Sequence, residues 1–594
     1  MRSLLVYPTH ANIREEVEAY RSEGVEAVAY PPRITIETDG QPPNCWNEHA
    51  DRAEAFGFPV VKTVCCRCLH QQQCYQQGYL GELILAKQAM IALATHQRVA
   101  QNGFDDLVQD RSYLSLHEAP VELLRPLCVL SEQDLLVAQQ LVAWLLGDPK
   151  WLDWFADDRV KGLDGKWEHS PEEQLRRERL YDACSLLADF LDDLANAVAA
   201  ATTTCRWTTA VMTKLPKGIE WLLYRTSRQQ RRRYVGNPWR LILQGLAGKL
   251  ETIVIQASQR FVKGSEPGTT MTFRRVLGVR NNSPPSGRIV WFNDATLAAD
   301  RLQSLVGGPV IDATPDGTVP LQKRAVQVLR DVTRKTTPKT LAALLRSLLL
   351  NRPDRTRLGL ITHRPLLGAI GLLEPEFQER IARSSYFGSG EERSSNAWHQ
   401  ECDLIVVAGT PRLPPEGIAE YLVQVREVEA ACRLPEWGPV IWHGTTESSV
   451  DVRVEAKGYH DEVWRSAQRD LVRAALVQAI GRGRGILESG CDVLVLSTEE
   501  CGLPVADTAL HPLREPEYQV LVGLRGLTLG FLKRAPLRNA SVSTRAIADA
   551  LGLSEQRTRA LLAALERRGQ VTRDSPRSGW KIAEPAAMEV CHAS

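Results

Sequence analysis

Four short apolar runs in the second half of the chain constrain its fold more than any other feature. "LGLITH", "DLIVVAG", "GPVIWHG" and "DVLVLS" each read as a strand buried on both faces. Helical patterns separate them, which is the rhythm of an α/β domain with a parallel sheet. The chain opens in the same way. "RSLLVYP" reads as a buried strand and "NIREEVEAYRSEG" as the helix after it, with Asn12 as N-cap and Gly24 as the stop. "EAVAYPPR" is the next strand. Residues 31–75 interrupt this rhythm with prolines and cysteines and read as an insertion. From 121 to 260 the periodicity is mainly helical, with "EQDLLVAQQLVAWLLG" and "YDACSLLADFLDDLANAVAAA" as long amphipathic runs. The α/β rhythm returns at "GRIVWFNDATL". A chain of 594 residues should divide into roughly three or more domains.

Composition excludes several classes. The formal net charge is +1, so any nucleic-acid contact must come from local patches. No stretch of about 20 apolar residues could span a membrane. The apolar run in "MRSLLVYPTH" is too short for a signal peptide. Thirteen cysteines in a chain of this size do not make a secreted disulfide scaffold. Five of them fall between Cys45 and Cys74, which suggests a metal site in a reducing cytosol. A cytoplasmic monomer is expected.

The strongest motif is "QAIGRGRG", Gln478 to Gly485. A helix leads to a bend at Gly481, and Arg482 and Arg484 project from a glycine-flanked, flexible turn. Paired guanidiniums can stabilise charge on a transferring phosphoryl group. A solvated basic turn would look the same in isolation. The cysteines also carry chemistry. Cys65, Cys68 and Cys74, with Cys45 upstream, supply four thiolates, which suit a [4Fe–4S] cluster or a tetrahedral zinc ion. Free buried thiols are the plain alternative.

In this order the motifs resemble those of superfamily 2 DNA helicases of the iron–sulfur, XPD/DinG-like group. "QAIGRGRG" looks like motif VI, although the second arginine stands one place early. "LLVYPTH" looks like motif Ia, "YLSLHEAP" like motif II, "WFNDATLAADRL" like motif III and "LGLITHRP" like motif IV. "ERSSNAWHQECDLIVVAGTPRLPP" looks like motif V. The resemblance spans about 480 residues, and the cysteine cluster lies where that family places its iron–sulfur domain.

The resemblance implies an α/β fold of two tandem RecA-like domains, with a Cys-rich insertion, a helical arch-like insertion and a C-terminal winged helix. The expected divisions are 1–138 (domain 1, insertion at 31–80), 139–285 (arch), 286–320 (return to domain 1), 321–515 (domain 2) and 535–586 (winged helix). It implies ATP with Mg²⁺ as cofactor if the chain is active, and single-stranded or forked DNA as partner. Glu118, Arg482 and Arg484 take catalytic roles. Gln478, Gly481, His117, Asp294 and Thr296 contact or couple to the nucleotide, and Thr9, His10, Asn396 and Trp398 contact DNA. Two further segments are basic. "YRTSRQQRRRYVGNPWR" fits either a solvated helix face or phosphate contacts along a single strand. In "STRAIADALGLSEQRTRALLAALERRGQVTRDSPRSGWKI", Arg557 and Arg559 lie on the helix expected to recognise DNA, although such modules also dock proteins.

The family pattern fails twice. No G-x-x-x-x-G-K-[ST] phosphate loop occurs, and the sequence begins almost at motif Ia. A late start would explain this. His117 also stands where the family has the aspartate that holds Mg²⁺, and imidazole is a poor ligand for that ion. A DNA-binding or regulatory protein that no longer hydrolyses ATP is therefore the chief rival. An accessory factor of a mobile element is a third reading.

Overall fold

A computed structural model describes the chain except residues 1, 38–41, 105–106, 109, 119, 149–150, 152–158, 162–166, 262–269, 285, 295–298, 314–319, 351, 353–354, 390–396, 508–515, 518, 522–523, 525–540, 568–570, 577 and 583–594. It is a mixed α/β structure in two compact units. The first comprises Met1–Thr314, Leu413–Glu436 and His460–Ala467, and the second comprises Pro315–Arg412, Trp437–Tyr459 and Gln468–Ser594.

The first unit is built on a five-stranded parallel sheet, in the order Ile289–Asn293, Tyr113–His117, Ser3–Tyr7, Ile91–Thr95, Ala27–Ala29. Leu4, Leu5 and Val6 of the central strand and Leu114, Ser115 and Leu116 beside it are buried in succession, as a sheet covered on both faces requires. The first helix is His10–Ser22. Its N-cap is Thr9, whose hydroxyl accepts the Asn12 N–H, so Asn12 is inside the helix rather than its cap. Gly24 follows the helix with φ +75°, a conformation that suits glycine.

The 121–260 stretch is less helical than its periodicity suggests. Helix Glu132–Gly147 forms where its amphipathic run places it, and helix Pro171–Ala200 spans nearly all of the second run but begins ten residues before it. They pack with a four-stranded antiparallel sheet, in the order Leu127–Ser131, Thr270–Arg280, Leu250–Phe261, Cys205–Trp207. The segment "ETIVIQASQRF" is rich in β-branched residues, and its pairing with Thr270–Arg280 supplies the partner that local periodicity cannot reveal.

The second unit holds another parallel sheet, in the order Ala325–Val328, Asp492–Leu496, Leu404–Ala408, Leu358–Thr362, Ile381–Tyr386. "LGLITH", "DLIVVAG" and "DVLVLS" supply three of these strands. "GPVIWHG" does not belong to the sheet. It lies in Trp437–Thr445, which pairs antiparallel with Asp451–Tyr459 as a two-stranded hairpin. Its exposed and half-buried positions alternate, so one face is solvated.

Near the C-terminus, helix Thr544–Leu551, capped by Ser543, leads through Gly552 at φ +63° into helix Glu555–Arg567. Strands Val571–Thr572 and Lys581–Ile582 then pair antiparallel. Trp580 is buried, and its Nε1–H donates to Thr544 Oγ1 at 2.9 Å, tying the strands to the first helix.

Candidate functional site

Tyr7, Thr95, His117 and Asn293 end four neighbouring parallel strands, Tyr7 in register with Thr95 and Asn293 with His117. In open parallel sheets, ligands bind beyond the carboxyl ends of the strands, where the strand order reverses. Here the chain passes from Ser3–Tyr7 toward one edge, then crosses to Tyr113–His117 on the other side. At that reversal the rings of Tyr7 and His117 stack, with centroids 4.2 Å apart and planes at 18°.

A polar network surrounds the stacked pair. His117 Nε2 lies 3.1 Å from Ser115 Oγ and accepts from Asn293 Nδ2 at 3.4 Å. Asn293 Nδ2 also donates to Ser115 Oγ (2.9 Å), and its Oδ1 accepts from Trp291 Nε1 (2.7 Å). His96 Nε2 donates to the His117 carbonyl at 2.6 Å. Glu118 follows with φ +60°, unusual for a residue with a side chain, and its N–H bonds the Asn293 carbonyl at 2.9 Å.

Burial lowers the pKa of His117 below its ordinary value, and burial pushes His96 down to about 4 against the partly offsetting bond to His117. His10 is lowered by burial and by Arg98 and Arg14. These imidazoles are neutral near pH 7, and a neutral imidazole engaged by Ser115 and Asn293 is ill suited to Mg²⁺.

The fold thus brings Thr9, His10, His117, Glu118 and Asp294 to the carboxyl ends of the strands of one sheet. Thr296 lies outside the described residues. Tyr7, His96, Ser115 and Asn293 were not singled out as site residues from the sequence. Their signal is positional, since Tyr7, His96 and Asn293 lie at or beside the last residue of an apolar run and Ser115 lies two residues before His117.

The arginine turn belongs to the second unit. Gln478 is half-buried near the end of helix Glu462–Gly481. The N–H groups of Arg482, Gly483 and Arg484 then bond carbonyls three residues back. Gly483 is buried against the Val493 side chain, and a Cβ there would collide with it. Cys491 N–H bonds the Gly483 carbonyl (2.8 Å), and Gln322 and Lys323 N–H bond the Gly485 carbonyl (2.7 and 3.0 Å). The turn is therefore pinned rather than flexible, by these backbone bonds and by the close packing that Gly483 allows. Arg482 is half-buried, and Arg484 is exposed with φ +47°.

Trp398 is not a surface contact. It is fully buried, and a Cβ on Gly359 would come within 3.0 Å of its ring. It is a core residue whose spacing coincides with a motif. Asn396 lies outside the described residues.

Cys45, Cys65 and Cys74 are buried and Cys68 is half-buried. Burial raises the Cys45 thiol, and burial raises Cys65 to about 11, with the other thiols of the set adding to both shifts. Leu80 N–H points at Cys74 Sγ and Asn47 Nδ2 at Cys68 Sγ, both at 3.4 Å. N–H groups aimed at sulfur are the outer-shell contacts that tune thiolate ligands. Among the described residues, no group of three or more His, Cys, Asp or Glu side chains is drawn tightly enough to hold a metal ion. Four thiols are a donor set that suits either a zinc ion or an iron–sulfur cluster.

The aromatics of the basic run are structural. Tyr224 and Trp239 pack on Phe58, and Tyr234 packs on Phe56. Arg228, Arg231 and Arg233 remain exposed, as do Arg557 and Arg559, the latter paired with Glu555 at 2.8 Å.

A family model described as FaeA-like protein matches residues 527–582. No curated protein matches the chain. Among solved structures, the X-ray structure of the Legionella pneumophila ATPase DotB is similar at 14% identity. The match covers 51% of this chain and 93% of that one, with a TM-score of 0.12.

Proposed function

We propose that this chain acts on DNA as a helicase-like protein of the superfamily 2 iron–sulfur kind, with ATP-driven translocation as the activity its frame supports. One observation carries the reading. Motif-like segments read separately along the sequence, around Thr9, His117 and Asp294, all end at the carboxyl edge of one parallel sheet. The pinned Arg482 turn, set beside the other parallel sheet, supports a role in phosphate chemistry. The thiols of Cys45, Cys65, Cys68 and Cys74 would hold an iron–sulfur cluster, which would staple the insertion. Helix Glu555–Arg567 would carry Arg557 and Arg559 to DNA as part of a winged helix.

A second reading is favoured by His117. Its ring is stacked on Tyr7 and bonded to Asn293, which suits DNA binding without hydrolysis. ATP turnover with and without single-stranded DNA separates the two. The expected result is slow turnover that His117→Asp, by restoring an oxygen ligand, raises about tenfold or more, some 1.4 kcal/mol of barrier. Intact DNA binding with no rise in turnover would favour the non-hydrolysing reading.

A further inference from the structure

The segment Leu413–Glu436 follows a strand of the second sheet, Leu404–Ala408, yet is built into the first unit. We propose that it is a strap fixing the two helices behind the candidate site, with Gln424 and Arg426 as positioning residues. The inference goes beyond the DNA-binding reading and draws on it only for the importance of those helices.

Helix Pro120–Leu124 follows His117 and Glu118, and helix Ala299–Val306 follows Asp294. The last carbonyls of a helix have no partner within it. Asn282 covers two in the first helix, its Nδ2 donating to Leu123 O and its N–H to Leu124 O, both at 2.8 Å. The strap covers the next, as Gln424 Nε2 donates to the Arg125 carbonyl at 2.8 Å. Two residues on, Arg426 Nη1 donates to Ser304 O at 2.7 Å, in the last turn of the other helix. A cation is favoured there by the helix dipole.

The two ends are joined through a third element. Arg426 Nε bonds Glu251 Oε1 at 3.1 Å, and the other oxygen of Glu251 pairs with the buried Arg125. Glu251 lies on strand Leu250–Phe261, so one carboxylate joins the strap, that strand and the end of the helix after Glu118. Arg426 makes these bonds from φ +70°, a conformation that costs energy for any residue with a Cβ. Asparagine tolerates that backbone, so Arg426→Asn removes the guanidinium without adding strain. Elsewhere the strap is anchored independently, by Arg275 paired with Glu420 and Gln256 Nε2 donating to Glu416 O at 3.1 Å.

Hydrogen exchange on the intact chain tests this. In the double variant Gln424→Ala, Arg426→Asn, amides of 121–125 and 302–306 should exchange roughly fivefold faster or more. Strands Ser3–Tyr7 and Leu404–Ala408 should be unchanged. Arg426→Lys should restore much of the protection at 302–306. Glu420→Gln, which alters the strap away from both helices, should leave them protected. Unchanged exchange in both helices, or equal loosening by Glu420→Gln, would overturn the proposal. If the double variant does not fold, Arg426→Asn alone tests the Ser304 contact in the same way. No DNA is present in the assay, so its failure is distinguishable from failure of the DNA-binding reading.

Discussion

Cys74→Ser should reduce the iron of the anaerobically purified chain from about four atoms per molecule to near zero, with loss of its visible absorbance. The effect should be large because Cys74 is buried and already receives the Leu80 N–H. Metal binding supplies folding free energy directly, on the order of 10 kcal/mol or more for structural zinc in small domains. Loss of the group should therefore loosen helices Gln71–Gln77 and Tyr79–Gln88, which proteolysis would report as new cleavage between 60 and 90. Cys66→Ser is the control. Cys66 is exposed and its thiol donates to the Lys62 carbonyl, so metal content should be unaffected. One zinc per chain in place of iron would support the alternative ion at the same thiols. A metal-free wild type as stable as Cys74→Ser would contradict the site.

The second large effect is acid destabilisation. His96 in the first unit and His363 in the second are each held at about 4 against an ordinary 6.5, chiefly by burial. Arg334 and Arg412 lower His363 further, while its bond to the Thr410 backbone opposes the shift. Both groups are neutral when folded and bind protons more readily when unfolded. Their stabilising effect is fully present above pH 6.5 and is lost as pH falls toward 4. By about pH 5 each should cost on the order of 2 kcal/mol. The denaturation midpoint in urea should fall accordingly between about pH 7.5 and about pH 5, and His363→Gln should flatten the dependence in its own unit. A midpoint that does not move over that range would contradict the assignment.

Both parallel sheets were legible because strands buried on two faces are continuous apolar runs, as "LLVY" and "LIVVA" show. The antiparallel sheet was not. Leu250–Phe261 depends on a partner about twenty residues on, and the surrounding helices dominate local periodicity. "GPVIWHG" does form a strand, but its alternation places it in a hairpin with a solvated face rather than in a sheet that buries both faces. Glu118, in the site of the first unit, and Arg482, in the turn of the second unit, were visible as motif residues. His96 and Asn293 were not, because only the register of parallel strands brings them to His117. Trp398 shows the opposite error, where motif spacing matched and burial decided otherwise. The strap leaves no local signal, because Leu413–Glu436 follows a strand of the second unit in sequence yet belongs to the first unit.

Fluorescence anisotropy with labelled single-stranded and forked DNA tests the proposed DNA binding. Saturable binding is expected, weakening at least about tenfold between roughly 50 and 200 mM salt as phosphate contacts are screened. The double variant Arg557→Glu, Arg559→Glu should weaken it by a further factor of about ten or more. Absence of binding to either DNA at the lowest salt, from protein whose folding is verified, would rule out DNA as its partner.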